Sequence, residues 1–158
     1  MRTLPKDFLW GASTSAYQVE GANLSDGKGP SCQDVKELPA GTASLDVCAD
    51  HYHRYKEDIK LMAEMGFKTY RFSIAWTRLI PNGTGEVNQA GIDHYNDVIN
   101  TCLEYNIEPL VTMFHFDMPD ALDKRGSWSN PESVDWFVNF AKVMFENFGD
   151  RVKYWLTI

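Results

Sequence analysis

Arg71 stands inside the run FKTYRFSIAW, where strand parity groups it with Thr69 and Ser73 while Tyr70, Phe72 and Ile74 point the other way. A strand flanked by helices is buried on both faces, and a guanidinium cannot shed its charge. A buried Arg71 therefore needs a carboxylate partner, or it carries the large penalty of an unpaired ion. A structural salt bridge and a role in a site both satisfy that requirement. His115 closes the apolar run PLVTMFH and is followed by Phe116 and Asp117. That order puts an imidazole at the carboxyl end of a strand, where parallel α/β sheets keep their sites. There it donates to or accepts from a polar ligand, although an isolated histidine is by default a satisfied core residue. Asp117 orients it or caps a turn.

Tyr17, Gln18 and Glu20 hold the equivalent place after the first strand, and the amide of Gln18 can both donate and accept. Trp10, Trp76, Phe114, Phe116 and Trp128 fall near the expected strand ends. Together they would make an aromatic floor, and singly each is explained by core packing. His51 and His53 are two apart, so on a helix they diverge, and no third residue completes a metal site. There is no glycine-rich phosphate loop, nucleophile elbow or His-Glu-x-x-His signature, so cofactor chemistry has no support and none is expected. Cys32, Cys48 and Cys102 are odd in number and none are in Cys-x-x-Cys spacing, which reads as reduced thiols.

The elements that must position these groups follow from periodicity. Tyr52, Tyr55, Ile59 and Met62 form one stripe of a helix from about Asp50 to Met65, stopped by Gly66. Ile92, Tyr95, Ile99 and Cys102 do the same from about Gln89 to Tyr105, with Asn106 able to close that helix in the left-handed conformation. A third helix is expected to begin at a capping box of Ser129 and Glu132 with Pro131 in the first turn. It continues through Val134, Phe137, Val138, Ala141, Phe145 and Phe148. Strands are expected near Phe8–Gly11, Phe67–Ile74, Glu108–Phe114 and Val152–Ile158. Alternating strands and helices predict βαβ units around a parallel sheet. Some forty residues between the first strand and first helix, rich in Gly, Ser, Pro and Asp, are too long for an ordinary connection and read as functional or mobile.

A chain of 158 residues, 44% hydrophobic and 23% charged, is expected to fold as one domain. Its net charge of -7 and the lack of any Lys/Arg cluster argue against a nucleic-acid partner. No apolar run is long enough for a signal peptide or a membrane span, so a soluble, cytoplasmic protein is expected.

The segments FLWGASTSAYQVEGA, GKGPSCQDV, HYHRYKEDIKLMAEMGFKTYRFSIAWTRLIPNGTGEVN and EPLVTMFHFDMPDAL occur in this order. In them the chain resembles glycoside hydrolase family 1, the β-glucosidase family, and the likeness spans almost all 158 residues. It implies an α/β fold, the (β/α)8 TIM barrel, of which residues 1–158 would supply the N-terminal half, four strands alternating with three helices. It also implies that Gln18 and His115 bind hydroxyls of a β-linked sugar, that Phe116 lies beside them where many relatives carry tryptophan, and that Arg71 orients the nucleophilic carboxylate. Family members use two glutamates about 5 to 5.5 Å apart as a retaining pair. Neither is expected within this chain, because WLTI ends just before the place where Asn-Glu would come, so the chain alone is expected to be inactive.

Phe116 and GKGPSCQDV resemble the 6-phospho-β-glucosidase branch, whereas DVCADHYHRYKED resembles ordinary β-glucosidases. The reading favours an unphosphorylated glucoside. The reading from a different class is a non-catalytic sugar-binding or structural half-barrel. Four strands leave two sheet edges open, so the C-terminal half of the barrel or a second copy of the chain is expected to cover them, and the isolated chain is expected to associate.

Overall fold

A computed structural model describes residues 3–158. Four strands form one parallel sheet in the order β1 (Gly11–Ser13), β2 (Thr69–Ser73), β3 (Glu108–Thr112) and β4 (Tyr154–Leu156). Register runs Gly11 with Thr69, Thr69 with Glu108 and Leu110 with Tyr154. Each pair is parallel, as the alternation of elements requires. Three long helices make the crossovers, which we label α2 (His51–Glu64), α4 (Gln89–Glu104) and α6 (Ser133–Phe148). Gly66 at φ +83° and Asn106 at φ 56° close α2 and α4 in the left-handed conformation.

Three one-turn helices that periodicity cannot reveal follow the strands: α1 (Ala16–Val19), α3 (Trp76–Leu79) and α5 (Asp120–Asp123). α1 and α3 begin three residues past the carboxyl ends of β1 and β2, and α5 begins eight residues past β3, so together they build a rim at that end of the sheet. Between α1 and α2 the chain has no helix or strand beyond one isolated bridge, Ser31 with Pro119.

The core lies on one face of the sheet. Tyr70, Phe72 and Val111 are buried among Ile59 of α2, Ile92, Tyr95 and Ile99 of α4, and Phe140, Met144 and Phe148 of α6. Trp76 stacks on Phe140 with ring centroids 4.5 Å apart and planes within 3°. On the opposite face Thr69, Arg71 and Leu110 are only half-buried. Within residues 3–158 the long helices cover one face of β2, while on the other face Ser73 is buried and Thr69 and Arg71 are half-buried.

Local signals misplace several boundaries. β1 starts at Gly11 rather than Phe8, since the Trp10 carbonyl is where the first cross-strand hydrogen bonds, from the N–H groups of Lys68 and Thr69, arrive. Phe8, Leu9 and Trp10 lie outside the strand and are exposed. The fourth strand is likewise shorter than its apolar run. The capping box does not form: Ser129 belongs to a 3-10 turn (Ser127–Ser129), and Glu132 precedes α6 with its carboxylate paired to Arg125. Asn130 Oδ1 accepts the Glu132 N–H at 2.9 Å and so takes the role given to Ser129. The face of α6 that packs is carried by Trp136, Phe140, Val143, Met144 and Phe148, while Val134, Val138 and Phe145 are exposed.

Because Phe140 is fully buried against Trp76, Phe140→Ala is expected to lower stability by roughly 3–5 kcal/mol, the usual cost of emptying an aromatic core site. Val138→Ala on the same helix should change it by about 1 kcal/mol or less. Urea unfolding of both variants distinguishes them, and equal losses would place the core face of α6 elsewhere.

Candidate functional site

The rim is organised around the ends of β2 and β3. Arg71 extends from the face of β2 that the long helices leave open, and its Nε donates to Thr112 Oγ1 of β3 at 2.8 Å. Among the described residues no carboxylate lies within ion-pair reach of it. Being half-exposed, it does not need one to fold. His115 follows β3 and is partly buried. Burial first, and then the nearby Arg71 charge, hold its pKa below the ordinary histidine value. At neutral pH its ring is therefore uncharged, with one donor and one acceptor nitrogen. The structure thus brings Arg71 and His115 together.

Phe116 presents its ring to solvent, 59% exposed, from a backbone at φ +64°, a conformation that a bulky residue adopts only when its surroundings impose it. Here a strap from the long α1–α2 connection does so. Gln33 Nε2 donates to the Phe116 carbonyl at 2.6 Å, and the Cys32 N–H donates to the Met118 carbonyl at 2.8 Å. The strap is itself tied by Asp34, which accepts from Lys28 Nζ, the Ser31 N–H and Ser31 Oγ at 2.6, 2.7 and 2.8 Å. The long connection therefore has an ordered task.

Gln18 stands on α1 with its side chain exposed, and its Oε1 accepts from Ser15 Oγ at 2.5 Å. The Ala16 N–H donates to Ser73 Oγ at 2.8 Å, which moors α1 to the end of β2. Glu20 does not share the rim. It is buried, with Oε2 accepting from Arg78 Nε at 2.7 Å and Oε1 from the Tyr95 hydroxyl at 2.7 Å. The aromatic floor is also divided. Trp76 and Phe114 are core residues beneath the rim, Phe116 and Trp128 are exposed on it, and Trp10 lies at the opposite, amino end of β1.

Two groups have perturbed chemistry that the sequence does not reveal: His94, which carries no motif, and Asp117, expected only to orient His115 or cap a turn. His94 stacks on Tyr52 with centroids 4.2 Å apart, its Nε2 has no hydrogen-bond partner among the described residues, and burial pushes its pKa down to about 4. Asp117, two residues past His115, is 2% exposed with Oδ1 unpartnered among the described residues. Burial lifts its pKa to about 7, against the opposing pull of its own N–H, the His115 N–H and Lys28. Neither has a local signature, because only packing from distant elements removes their water.

A carboxyl whose folded pKa is raised contributes stability that is complete below its unfolded pKa, near 3.8, and lost as pH climbs through about 7. Asp117→Asn abolishes that loss. Relative to the parent protein the variant should gain on the order of 2–4 kcal/mol between pH 5 and pH 8.5, read by urea unfolding across the range. Stability curves that run parallel would mean that Asp117 ionises freely.

With this geometry in place, comparison with known proteins is specific. The Glycosyl hydrolase family 1 profile matches residues 1–158. A 1,4-β-D-glucan glucohydrolase of Thermotoga neapolitana is 48% identical over 162 residues, covering 100% of this chain and 38% of that protein. A chloroplastic benzoxazinoid-glucoside β-D-glucosidase of Triticum aestivum, isoform 1d, is 56% identical over 158 residues, covering 96% and 28%. A β-glucosidase of Thermotoga maritima, solved with a methoxycarbonyl-substituted glucoimidazole, superposes with a TM-score of 0.96 at 48% identity, over 100% of this chain and 37% of that one. The chain spans about a third of the length of the relatives it matches, and its four parallel strands with their crossover helices are the corresponding part of a (β/α)8 barrel. A family profile that covers every residue, on a sheet that superposes this closely, leaves one assignment: the chain belongs to glycosyl hydrolase family 1.

Proposed function

We propose that residues 1–158 form the N-terminal half of the catalytic barrel of a retaining β-glucosidase and carry its glycone-binding rim. The observation that supports this best is the grouping of Arg71, mid-strand on β2 and bonded to Thr112 at the end of β3, with His115 and Phe116 just past that end, in a chain 48–56% identical to β-glucosidases. On this reading the uncharged His115 ring and the Gln18 amide each donate to one sugar hydroxyl and accept from another, and the exposed Phe116 ring stacks on the apolar face of the pyranose. Arg71, with no ion-pair partner among the described residues, holds and keeps ionised the nucleophilic carboxylate supplied by sequence beyond residue 158.

That carboxylate attacks the anomeric carbon while a second carboxylic acid protonates the departing glycosidic oxygen. Water then cleaves the glycosyl-enzyme, with the second group acting as base. The same reading gives the remaining barrel segment the task of covering the β1 and β4 edges and the exposed Val138 and Phe145 of α6. The three unpaired cysteines support a cytoplasmic setting.

The test compares nitrophenyl β-glucoside hydrolysis by this chain with that by the protein extended through its fourth and seventh barrel strands. Turnover is expected only from the extended protein. There Gln18→Ala and His115→Ala should each lower kcat/KM by about 10–100-fold, the size of one or two lost hydrogen bonds to substrate. Turnover by the 158-residue chain alone overturns the assignment. Preference for a 6-phosphorylated glucoside moves the substrate to the phosphorylated branch, and an inactive extended protein that binds glucose favours a sugar-binding module.

A further inference from the structure

Gln18 sits on a piece of chain that cannot support itself. α1 is a single turn, Ser15 makes no side-chain bond to its free N–H groups, and so short a helix has no stability of its own. Immediately after it Gly21 and Ala22 adopt left-handed backbone at φ +63° and 51°, the second without the freedom of a glycine. Residues 21–50 then contain no helix or strand apart from the bridge at Ser31. The Ala16 N–H bond to Ser73 Oγ moors the start of the turn and Ser15 Oγ bonds Gln18 Oε1, but the far end of the turn, past Gln18, needs an anchor of its own.

Two residues on, Glu20 points to the other side of the turn and is held at both oxygens. Arg78 Nε of α3 donates to Oε2 and the Tyr95 hydroxyl of α4 donates to Oε1, each at 2.7 Å. The same guanidinium donates from Nη2 to the Gly21 carbonyl at 2.8 Å, so it grips the side chain of one residue and the backbone of the next. Arg78 is itself fixed, 1% exposed with its guanidinium carbon 4.0 Å from the centre of the Tyr52 ring. Tyr95 is pinned as well, its oxygen accepting the Ala75 N–H at 2.8 Å. A planar guanidinium and a rigid phenol holding one carboxylate leave Glu20 a single position.

We propose that Glu20, Arg78 and Tyr95 are positioning residues that set where the Gln18 amide stands on the rim, so that Glu20 governs sugar affinity without touching the sugar. The inference rests on the β-glucosidase reading, since only there is Gln18 a sugar-binding group. Recognition of a hydroxyl tolerates about half an ångström of misplacement, and a turn released from its clamp moves further than that.

The test is a double-mutant cycle in the extended protein with nitrophenyl β-glucoside. Glu20→Gln should lower kcat/KM about tenfold or more, mainly through KM, while in a Gln18→Ala background it should change nothing further, because the group it positions is already gone. Effects that multiply in the double variant would make Glu20 a structural residue only and overturn the proposal. If Glu20→Gln does not fold, Tyr95→Phe runs the same cycle with an effect of a few fold. Amide hydrogen exchange provides a readout independent of turnover: exchange at residues 18, 19 and 20, whose N–H groups donate to the Ser15 and Ala16 carbonyls, should accelerate at least about tenfold in the clamp variant with α4 and α6 unchanged. Unchanged exchange at those three amides overturns the clamp. A parent protein without activity on any β-glucoside overturns the functional reading instead, and exchange then decides the clamp by itself.

Discussion

The guanidinium of Arg78 is almost wholly removed from water, and much of the chain is arranged so that this is tolerable. Its charge is met by Glu20, its second nitrogen by the Gly21 carbonyl, and its face by the Tyr52 ring. These partners come from the turn after α1 and from α2, while Tyr95 of α4 completes the carboxylate. Burial alone would raise the Glu20 pKa. The Arg78 charge, first, and the hydrogen bonds from Arg78 and Tyr95 outweigh burial and hold it below the usual value, so the pair stays ionised. Such a pair adds little net stability, because desolvating two ions offsets most of their attraction, yet losing one partner costs roughly 3–5 kcal/mol. Its effect is to admit one arrangement of α1, α2, α3 and α4.

The backbone records the same constraint. A Cβ at Gly91, on α4, would come within 2.1 Å of the Arg78 carbonyl oxygen, so α4 can approach α3 this closely only with glycine there. Asn88 Nδ2 donates to that same carbonyl at 2.9 Å just before α4 begins. One residue thus fixes helix against helix through its backbone and fixes rim against core through its side chain.

Asymmetry of the sheet separates packing from recognition. The face bearing Tyr70, Phe72 and Val111 is sealed by long helices, while the other bears Arg71 and leads to His115 and Phe116. Strand parity makes this division, since neighbouring residues point to opposite faces. Within residues 3–158 a half-buried Arg71 therefore adjoins a fully buried Tyr70. The strap from residues 31–34 then completes the rim from a distance, imposing the left-handed turn at Phe116 that β3 alone would not form.

Helical periodicity and end signals were enough to place α2 and α4 within a residue or so and to predict the parallel order, because those features depend on neighbours within a turn or two. The places of Gln18 and His115 past strand ends were legible for a related reason, since they follow from the alternation of elements, whereas the roles expected of Gln18, Arg71 and Phe116 came from the family resemblance. What the sequence left undecided was which polar groups lose their water. It pointed to Arg71 as the buried arginine and to Glu20 as a rim residue, whereas the fold buries Arg78 against Glu20, 58 positions away. Asp117 and His94 acquire their shifted pKa values in the same way, from elements that meet only in three dimensions. The face of α6 that packs was also settled by its neighbours, because the helix is apolar over a wider arc than one layer of the fold can cover. Local pattern specifies what an element is, and solvent exclusion, which sets the chemistry of its polar groups, is a property of the assembled whole.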